Sequence, residues 1–276
     1  MKTLYISDLD GTLIGADATP SKFTLDTINR LSREGMLISL ATSRSLSDAK
    51  HILENFRFKT PIITMNGTFI TDISGASRKT LHHLPLERSA ALKTCEILEQ
   101  NGCPPNVFFF RDEDLDVEYK SEVNEHQSYF NRLREKSYRS FKKVDGYNET
   151  DQIVFIAAVG DEKAVKTAAN LIAPEFLFNC TCYEDVYRKG MWFIEVTSRY
   201  ANKALATKKL KELTGADKVV AFGDNHNDLP LFSVADLKIA VANATEEVKA
   251  AADIIIAANT EDGVAKYILE EYEKSR

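Results

Sequence analysis

Two aspartates, Asp8 and Asp10, stand two residues apart just beyond the apolar run "TLYIS", and Gly11, Thr12 and Leu13 follow at once. Taken alone, "DLDGT" reads equally well as a tight turn, because Asp-Gly is a strong turn signal, and as a pair of carboxylates placed for chemistry. A second acidic tip weighs the reading toward chemistry. In "VVAFGDNHNDLPLF", Asp224 again closes an apolar run, preceded by Gly223 and followed by Asn227 and Asp228. In a parallel sheet two such tips can converge. Asp8, Asp10 and Asp224 then form a pocket of hard oxygen donors suited to Mg²⁺. Without a cation, carboxylates so gathered repel one another and raise their own pKa values.

Donors and cations stand at other tips. "LATSR" ends an apolar run with Thr42, Ser43 and Arg44, and "RYANKA" places Lys203 near a helix start, where the backbone field favours anions. Lys203 by itself is an ordinary helix lysine. Combined with a bound cation, the Thr42 hydroxyl and free backbone N–H groups, it completes a cradle for a phosphoryl group. Asn66 and Gly67 in "MNG" fall at a third strand end.

The elements that must position these residues follow from the apolar pattern. "TLYIS", "MLISLA" and "PIITMNG" read as buried strands. "SKFTLDTINRLSREG", with Leu25, Ile28 and Leu31 on one face, and "SLSDAKHILENF", opened by Ser45, read as helices between them. Such alternation predicts an α/β fold with a Rossmann-like parallel sheet, whose ligands bind beyond the carboxyl ends of the strands. After Pro85 the texture changes to helices and strands sufficient for a separate α+β core, and the α/β rhythm returns from about residue 189. The expected organisation is one α/β domain over 1–82 and 189–276, interrupted by an inserted α+β domain over 83–188.

The four motifs, in order, resemble those of the haloacid dehalogenase superfamily of phosphohydrolases, in its Cof-type subgroup with a type IIB cap. The pattern D-x-D-G-T-L matches Asp8 to Leu13, the second motif Thr42, the third Lys203, and G-D-x-x-N-D matches Gly223, Asp224, Asn227 and Asp228. "MNG", "ANATEEVKAAAD" and "EDGVA" are subgroup marks. The resemblance implies a Mg²⁺-dependent phosphatase acting on a small phosphate monoester, a sugar phosphate first. Asp8 would be the nucleophile that forms an aspartyl-phosphate, and Asp10 the general acid and base. Asp8, the Asp10 carbonyl and Asp224 would hold the metal, and Thr42 and Lys203 the transferring oxygens. Ser43, Arg44, Asn66, Gly67, Asn227, Asp228 and Asn243 would support the site or the substrate. The inserted domain would be the cap that sets specificity. A phosphotransferase of phosphomannomutase type would use the same intermediate, and a non-catalytic regulator binding a phosphorylated ligand is the weaker alternative. The chain departs from the family pattern at Ser43, Ala204 and Pro230, none of them a catalytic carboxylate.

Composition bounds the rest. The chain has 276 residues, 44% hydrophobic and 28% charged, with 35 Lys+Arg against 41 Asp+Glu for a net charge of −6. A net-negative chain has no global attraction for nucleic acid or anionic membranes. Neither a signal peptide nor a membrane span is read, so a cytoplasmic location is expected, with a small phosphorylated metabolite as partner and a monomer or homodimer as the state. Cys95, Cys103, Cys180 and Cys182 read as reduced thiols. The run "DEDLDVE" reads as a solvated hairpin, Phe108 to Phe110 as core, and His82, His83 and His226 as surface or hinge residues.

Overall fold

Five short apolar runs form a single parallel sheet. The computed structural model describes residues 1–276 except 16–17, 186–187 and 275, and the side chains of 173–175 are also outside the description. Along the chain come β1 (Thr3–Ser7), α1 (Lys22–Arg33), β2 (Leu37–Leu40), α2 (Lys50–Leu53), β3 (Ile62–Thr64), β4 (Phe69–Asp72) and β5 (Lys79–His83). Next are α3 (Arg88–Gln100), β6 (Asn106–Arg111), β7 (Asp114–Tyr119), α4 (Glu125–Arg134), β8 (Ser140–Lys143), β9 (Gln152–Gly160), α5 (Glu162–Glu175), β10 (Phe178–Glu184) and β11 (Trp192–Ser198). The last stretch holds α6 (Lys203–Thr214), β12 (Lys218–Gly223), α7 (Leu229–Phe232), β13 (Leu237–Val241), α8 (Glu246–Ala251), β14 (Ile254–Ile256) and α9 (Gly263–Lys274).

The chain divides into two compact units, Met1–His82 with Asn202–Arg276, and His83–Ala201. In the first, the sheet order is β14-β13-β12-β1-β2, with every pair parallel. Leu4, Ile6, Leu40, Ala221, Phe222, Ile239 and Val241 are buried, as strands covered on both faces require. From β1 the chain moves to β2 on one side, and from β12 to β13 on the other. The ends of β1 and β12 therefore flank a topological switch point, where open α/β sheets bind ligands. The helices covering the sheet are capped locally: Ser21 Oγ accepts Thr24 N at 3.0 Å to open α1, and Ile28 and Leu31 turn inward.

The second unit is a six-stranded sheet in the order β10-β11-β9-β6-β7-β8. Its core brings Val107, Phe109, Ile156 and Ile194 together with Leu98 of α3 and Val165 of α5. Phe108 is buried as well, edge-on to Phe155 at 5.0 Å. The return to the first unit falls after Ala201, not after residue 188, because β11 pairs with both β10 and β9 and belongs to this sheet. A second departure concerns "DEDLDVE". Asp116 and Glu118 are buried, since strand alternation turns both to one face of β7. Arg139 forks onto Asp116 at 2.9 and 2.8 Å, and the Asn148 N–H donates to Glu118 at 2.7 Å. The run is thus half an internal ion cluster rather than a solvated face. All four cysteines are free thiols. Among the described residues no helix is long and apolar enough to cross a membrane.

Candidate active site

Sheet register brings the two acidic tips side by side. Ser7 pairs with Phe222, and the Asp8 N–H donates to the Phe222 carbonyl at 3.1 Å, so Asp8 and Asp224 leave adjacent strand ends. The chain then doubles back: the Leu13 and Ile14 N–H groups both donate to the Leu9 carbonyl at 3.0 Å. Gly11 makes this return possible at φ +84°, and a Cβ there would lie 2.5 Å from Asp224 Oδ2. Thr12 Oγ1 donates to Asp224 Oδ1 at 2.6 Å, and Asn243 Nδ2 donates to the Gly11 carbonyl at 2.8 Å. Asn243 is therefore a brace for the loop, and its Oδ1 also accepts the Asn259 N–H at 2.9 Å.

Lys203 is the cation of this centre. Its side chain is only 1% exposed, and Nζ lies 2.5 Å from Asp8 Oδ1 and 2.7 Å from Asp228 Oδ1. Asp228 Oδ2 accepts the N–H groups of Asp224 and Asn225 at 3.0 and 3.2 Å. Both oxygens of Asp228 are thus committed, and it positions Lys203 and the Asp224 turn. Lys203 opens α6, whose N-cap Asn202 accepts the Leu205 N–H at 2.8 Å. Gly67, at φ +100°, lies so close to Asn202 that a Cβ would overlap its backbone. "MNG" thereby fixes where the lysine helix begins. Asn66 also has a left-handed φ of +51°, its N–H donates to the Thr42 carbonyl at 3.0 Å, and its buried Oδ1 has no hydrogen-bond partner among the described residues.

Thr42 is buried, and its Oγ1 accepts the Arg44 N–H at 3.1 Å. Arg44 reaches Asp10: Nε donates to Oδ2 and Nη2 to Oδ1, each at 2.7 Å. The Asp10 carboxylate is therefore gripped by a guanidinium fork instead of joining Asp8. The described carboxylates that do meet are Asp8, Asp224 and Asp228, with one oxygen of each within 4.8 Å of the others. Ser43 and Asn227 are exposed. His226 is on the surface, with Nδ1 3.1 Å from Glu247.

The charge balance fits a divalent cation. Three carboxylates face one ammonium, and burial pushes Asp8 up to about 7 despite Lys203 beside it, with Asp228 and Asp224 adding to the rise. Burial also raises Asp224, against the Thr12 hydrogen bond. Lys203 is held above the ordinary lysine value: burial lowers it, but Asp8 and Asp228 together outweigh that. Asp8 Oδ2 and Asp224 Oδ2 are the oxygens of this group that accept no hydrogen bond among the described residues. They are hard carboxylate oxygens on residues that meet at this point, the donor type that a small oxophilic cation requires.

No sequence expectation gives a separate site role to Thr12, Asn202 or Asn259. Thr12 was present in the opening motif, and its type, a hydroxyl one residue after a forced glycine turn, was the available signal. Asn202 carries the common helix-start signal of an Asn before the first helical residue. Nothing local marks Asn259, which reaches Ile14 and Asn243 from far along the chain.

Residues 5–268 match the sequence profile of the haloacid dehalogenase-like hydrolases. The chain is 27% identical over 272 residues to 5-amino-6-(5-phospho-D-ribitylamino)uracil phosphatase YitU of Bacillus subtilis, covering 97% of this chain and 96% of that one. It is 25% identical to pyridoxal phosphate phosphatase YbhA of Escherichia coli, with 95% of each chain covered. A crystal structure of a haloacid dehalogenase-like hydrolase from Bacteroides thetaiotaomicron superposes with a TM-score of 0.78 at 24% identity, over 98% of this chain and 99% of the other. The parallel-sheet α/β fold is shared.

Proposed function

The chain belongs to the haloacid dehalogenase-like hydrolase family, and because the two relatives from Bacillus subtilis and Escherichia coli are phosphatases by name, we propose that it is a phosphatase of small phosphate monoesters. One observation carries the reading: Asp8, beside Asp224 and bonded to a buried Lys203, at the switch point of the sheet.

The Asp8 carboxylate attacks phosphorus through one of its oxygens, and the bond to the leaving oxygen breaks as an aspartyl-phosphate forms. Asp10, once protonated, gives that oxygen its proton. It then takes a proton from the water whose attack on phosphorus releases phosphate and restores Asp8. Lys203 and the Thr42 hydroxyl bind the transferring oxygens as charge spreads over them. Arg44 orients Asp10 through its two-point grip, and Asp228 holds Lys203. Asp8, Asp224 and the Asp10 carbonyl are the groups that would hold Mg²⁺, which when bound offsets the repulsion between a carboxylate and a phosphate dianion. Specificity is assigned to the second unit. Substrates of the relatives and a first expectation of sugar phosphates set the panel.

The test is phosphate release from hexose and pentose phosphates, pyridoxal phosphate, 5-amino-6-(5-phospho-D-ribitylamino)uracil, nucleotides and p-nitrophenyl phosphate, with Mg²⁺ and with EDTA. Metal-dependent release that vanishes in Asp8→Asn is expected. Release that survives the substitution, or none from any compound, would sink the proposal.

A further inference from the structure

Two of the four thiols lie together in the second unit. β10 carries "FNCTCYE", and strand alternation turns Cys180 and Cys182 to the same face. Cys180 pairs with Val196 and Cys182 with Ile194, both core residues of this unit, so the two thiols lie on the side packed by α3 and α5. There the Cys180 thiol donates to the Cys182 sulfur. β10 is the edge strand of its sheet, and both side chains are only half-buried, so reagents can reach the pair. Cys95 and Cys103 are 1% and 0% exposed.

The surroundings give the two sulfurs different parts. Lys166, on α5, has its Nζ 4.3 Å from the centre of the Trp192 ring, and its charge favours a thiolate at Cys182. Glu162 shares that ammonium at 2.5 Å, across an exposed bridge of the kind that neutralises little. The hydrogen bond from Cys180 favours the same ionised form, so Cys182 lies below the ordinary thiol value although burial opposes this. Cys180 is raised, chiefly because it gives that hydrogen bond, and so keeps its proton. Burial pushes the Cys103 thiol up to about 12. Part exposure, a nearby cation and a second thiol in contact are what a peroxide-reactive cysteine and its resolving partner need.

The spacing sets how firmly the two could be joined. Residues two apart on a strand stand roughly 6.4–6.8 Å apart at Cα, the long end of the range that a disulfide spans. An edge strand has one ladder to hold it instead of two, and can twist to close that gap. A bond made there is strained, and strained disulfides are readily reduced.

We propose that Cys182 and Cys180 are a reversible oxidation site for hydroperoxides, with Cys182 as the reacting thiolate and Cys180 as the thiol that resolves it. With hydrogen peroxide, the Cys182 thiolate attacks one oxygen, the S–O bond forms as the O–O bond breaks, and hydroxide leaves. Sulfur is oxidised by two electrons to a sulfenic acid, and the peroxide is reduced. Cys180 then attacks the Cys182 sulfur. The S–S bond forms, the S–O bond breaks, and the departing hydroxide takes the Cys180 proton as water. None of this depends on the phosphatase reading.

The test oxidises the folded chain with hydrogen peroxide, blocks the remaining thiols with iodoacetamide, and weighs the tryptic peptides. Cleavage after Lys166 and Arg188 leaves Cys180 and Cys182 on one peptide, 167–188, and cleavage after Lys93 and Arg111 leaves Cys95 and Cys103 on another, 94–111. Peptide 167–188 should lose two hydrogens and both alkylations, and dithiothreitol should restore them, while 94–111 stays fully alkylated. In Cys180→Ser, Cys182 should stop at the sulfenic acid and take up dimedone. In Lys166→Met, oxidation of 167–188 should be about threefold slower or more, because the thiolate has lost its cation. Oxidation of 94–111 as fast as 167–188, the two peptides joined to each other, or sulfinic acid on Cys182 with no disulfide in the wild type would each overturn the proposal. An unchanged rate in Lys166→Met would do so as well.

Discussion

Lys203 Nζ sits 2.5 Å from Asp8 Oδ1 and 2.7 Å from Asp228 Oδ1, joining residues 195 and 25 positions apart. Both carboxylates are buried with it. Removing one partner of a buried ion pair leaves the other charge uncompensated, which costs about 3–5 kcal/mol. Lys203→Met should therefore lower stability by about that amount and abolish phosphate release. Lys203→Met/Asp228→Asn removes one of the two stranded charges, so it should recover part of the stability and none of the activity. Urea unfolding midpoints check this; a double variant no more stable than the single one would contradict it.

Gly67 and Gly35 separate backbone strain from overlap. Both have strongly positive φ, +100° and +95°, but nothing lies within 4 Å of a Cβ at Gly35, whereas one at Gly67 meets the Asn202 backbone. Gly35→Ala should cost about 1–2 kcal/mol, the penalty of a side chain in the left-handed region. Gly67→Ala should cost more, and it should also reduce kcat, because Asn202 caps the helix that begins with Lys203. Thermal unfolding and steady-state kinetics of the two variants would show it. Similar losses in both would mean that the contact with Asn202 is easily relieved.

Much of this arrangement could be read from the chain. Apolar runs with acids at their ends predict a parallel sheet and its ligand-binding edge, and the Asp8 and Asp224 tips do meet. Interactions set by three-dimensional placement were not legible. Asp10 was expected beside Asp8, yet Arg44, 34 residues on, takes both of its oxygens. Asp116 was expected in solvent, because a charge run carries no sign of the Arg139 fork that buries it. The helix expected over "SLSDAKHILENF" shortens to Lys50–Leu53 because Ser45 and Asp48 bond each other and the local backbone, a turn that competes with helix. The unit boundary moved to 201/202 because β11 alone looks the same whichever sheet it joins.

Burial and the neighbouring carboxylates raise Asp8 to about 7, and Asp224 is raised too. With the folded value above the unfolded one, the folded protein holds the proton more tightly. The contribution to stability is complete below the ordinary aspartate value and is lost as pH rises through about 7. Cation-free protein should thus lose stability between about pH 4 and 7, and Asp8→Asn should flatten that slope. Asp236 and Asp253 are shifted the opposite way, so they act at lower pH. Added Mg²⁺ binds the folded state alone and should restore about 2.7 kcal/mol at a hundredfold excess over Kd. Melting temperatures in EDTA and in Mg²⁺, for wild type, Asp8→Asn and Asp224→Asn, decide the matter. A Mg²⁺ response unchanged in Asp224→Asn would remove Asp224 from the metal site.

Arg44 grips Asp10 with two parallel bonds of 2.7 Å, and the pair is partly exposed, with side chains 30% and 38% accessible. Exposed pairs add at most about 1 kcal/mol to stability, so substitution here should leave the unfolding midpoint nearly unmoved. Orientation is another matter. A lysine keeps the charge but offers a single point contact in place of the fork, and cannot fix the plane of the carboxylate. If Asp10 moves the proton to and from the reacting oxygens, both Arg44→Lys and Arg44→Ala should reduce kcat by roughly 10–100-fold, a part of the roughly 10²–10⁴-fold that a positioned general acid–base supplies. The lysine variant should recover little of it. Wild-type kcat in Arg44→Lys would show that charge alone suffices and that the two-point geometry has no part in positioning Asp10.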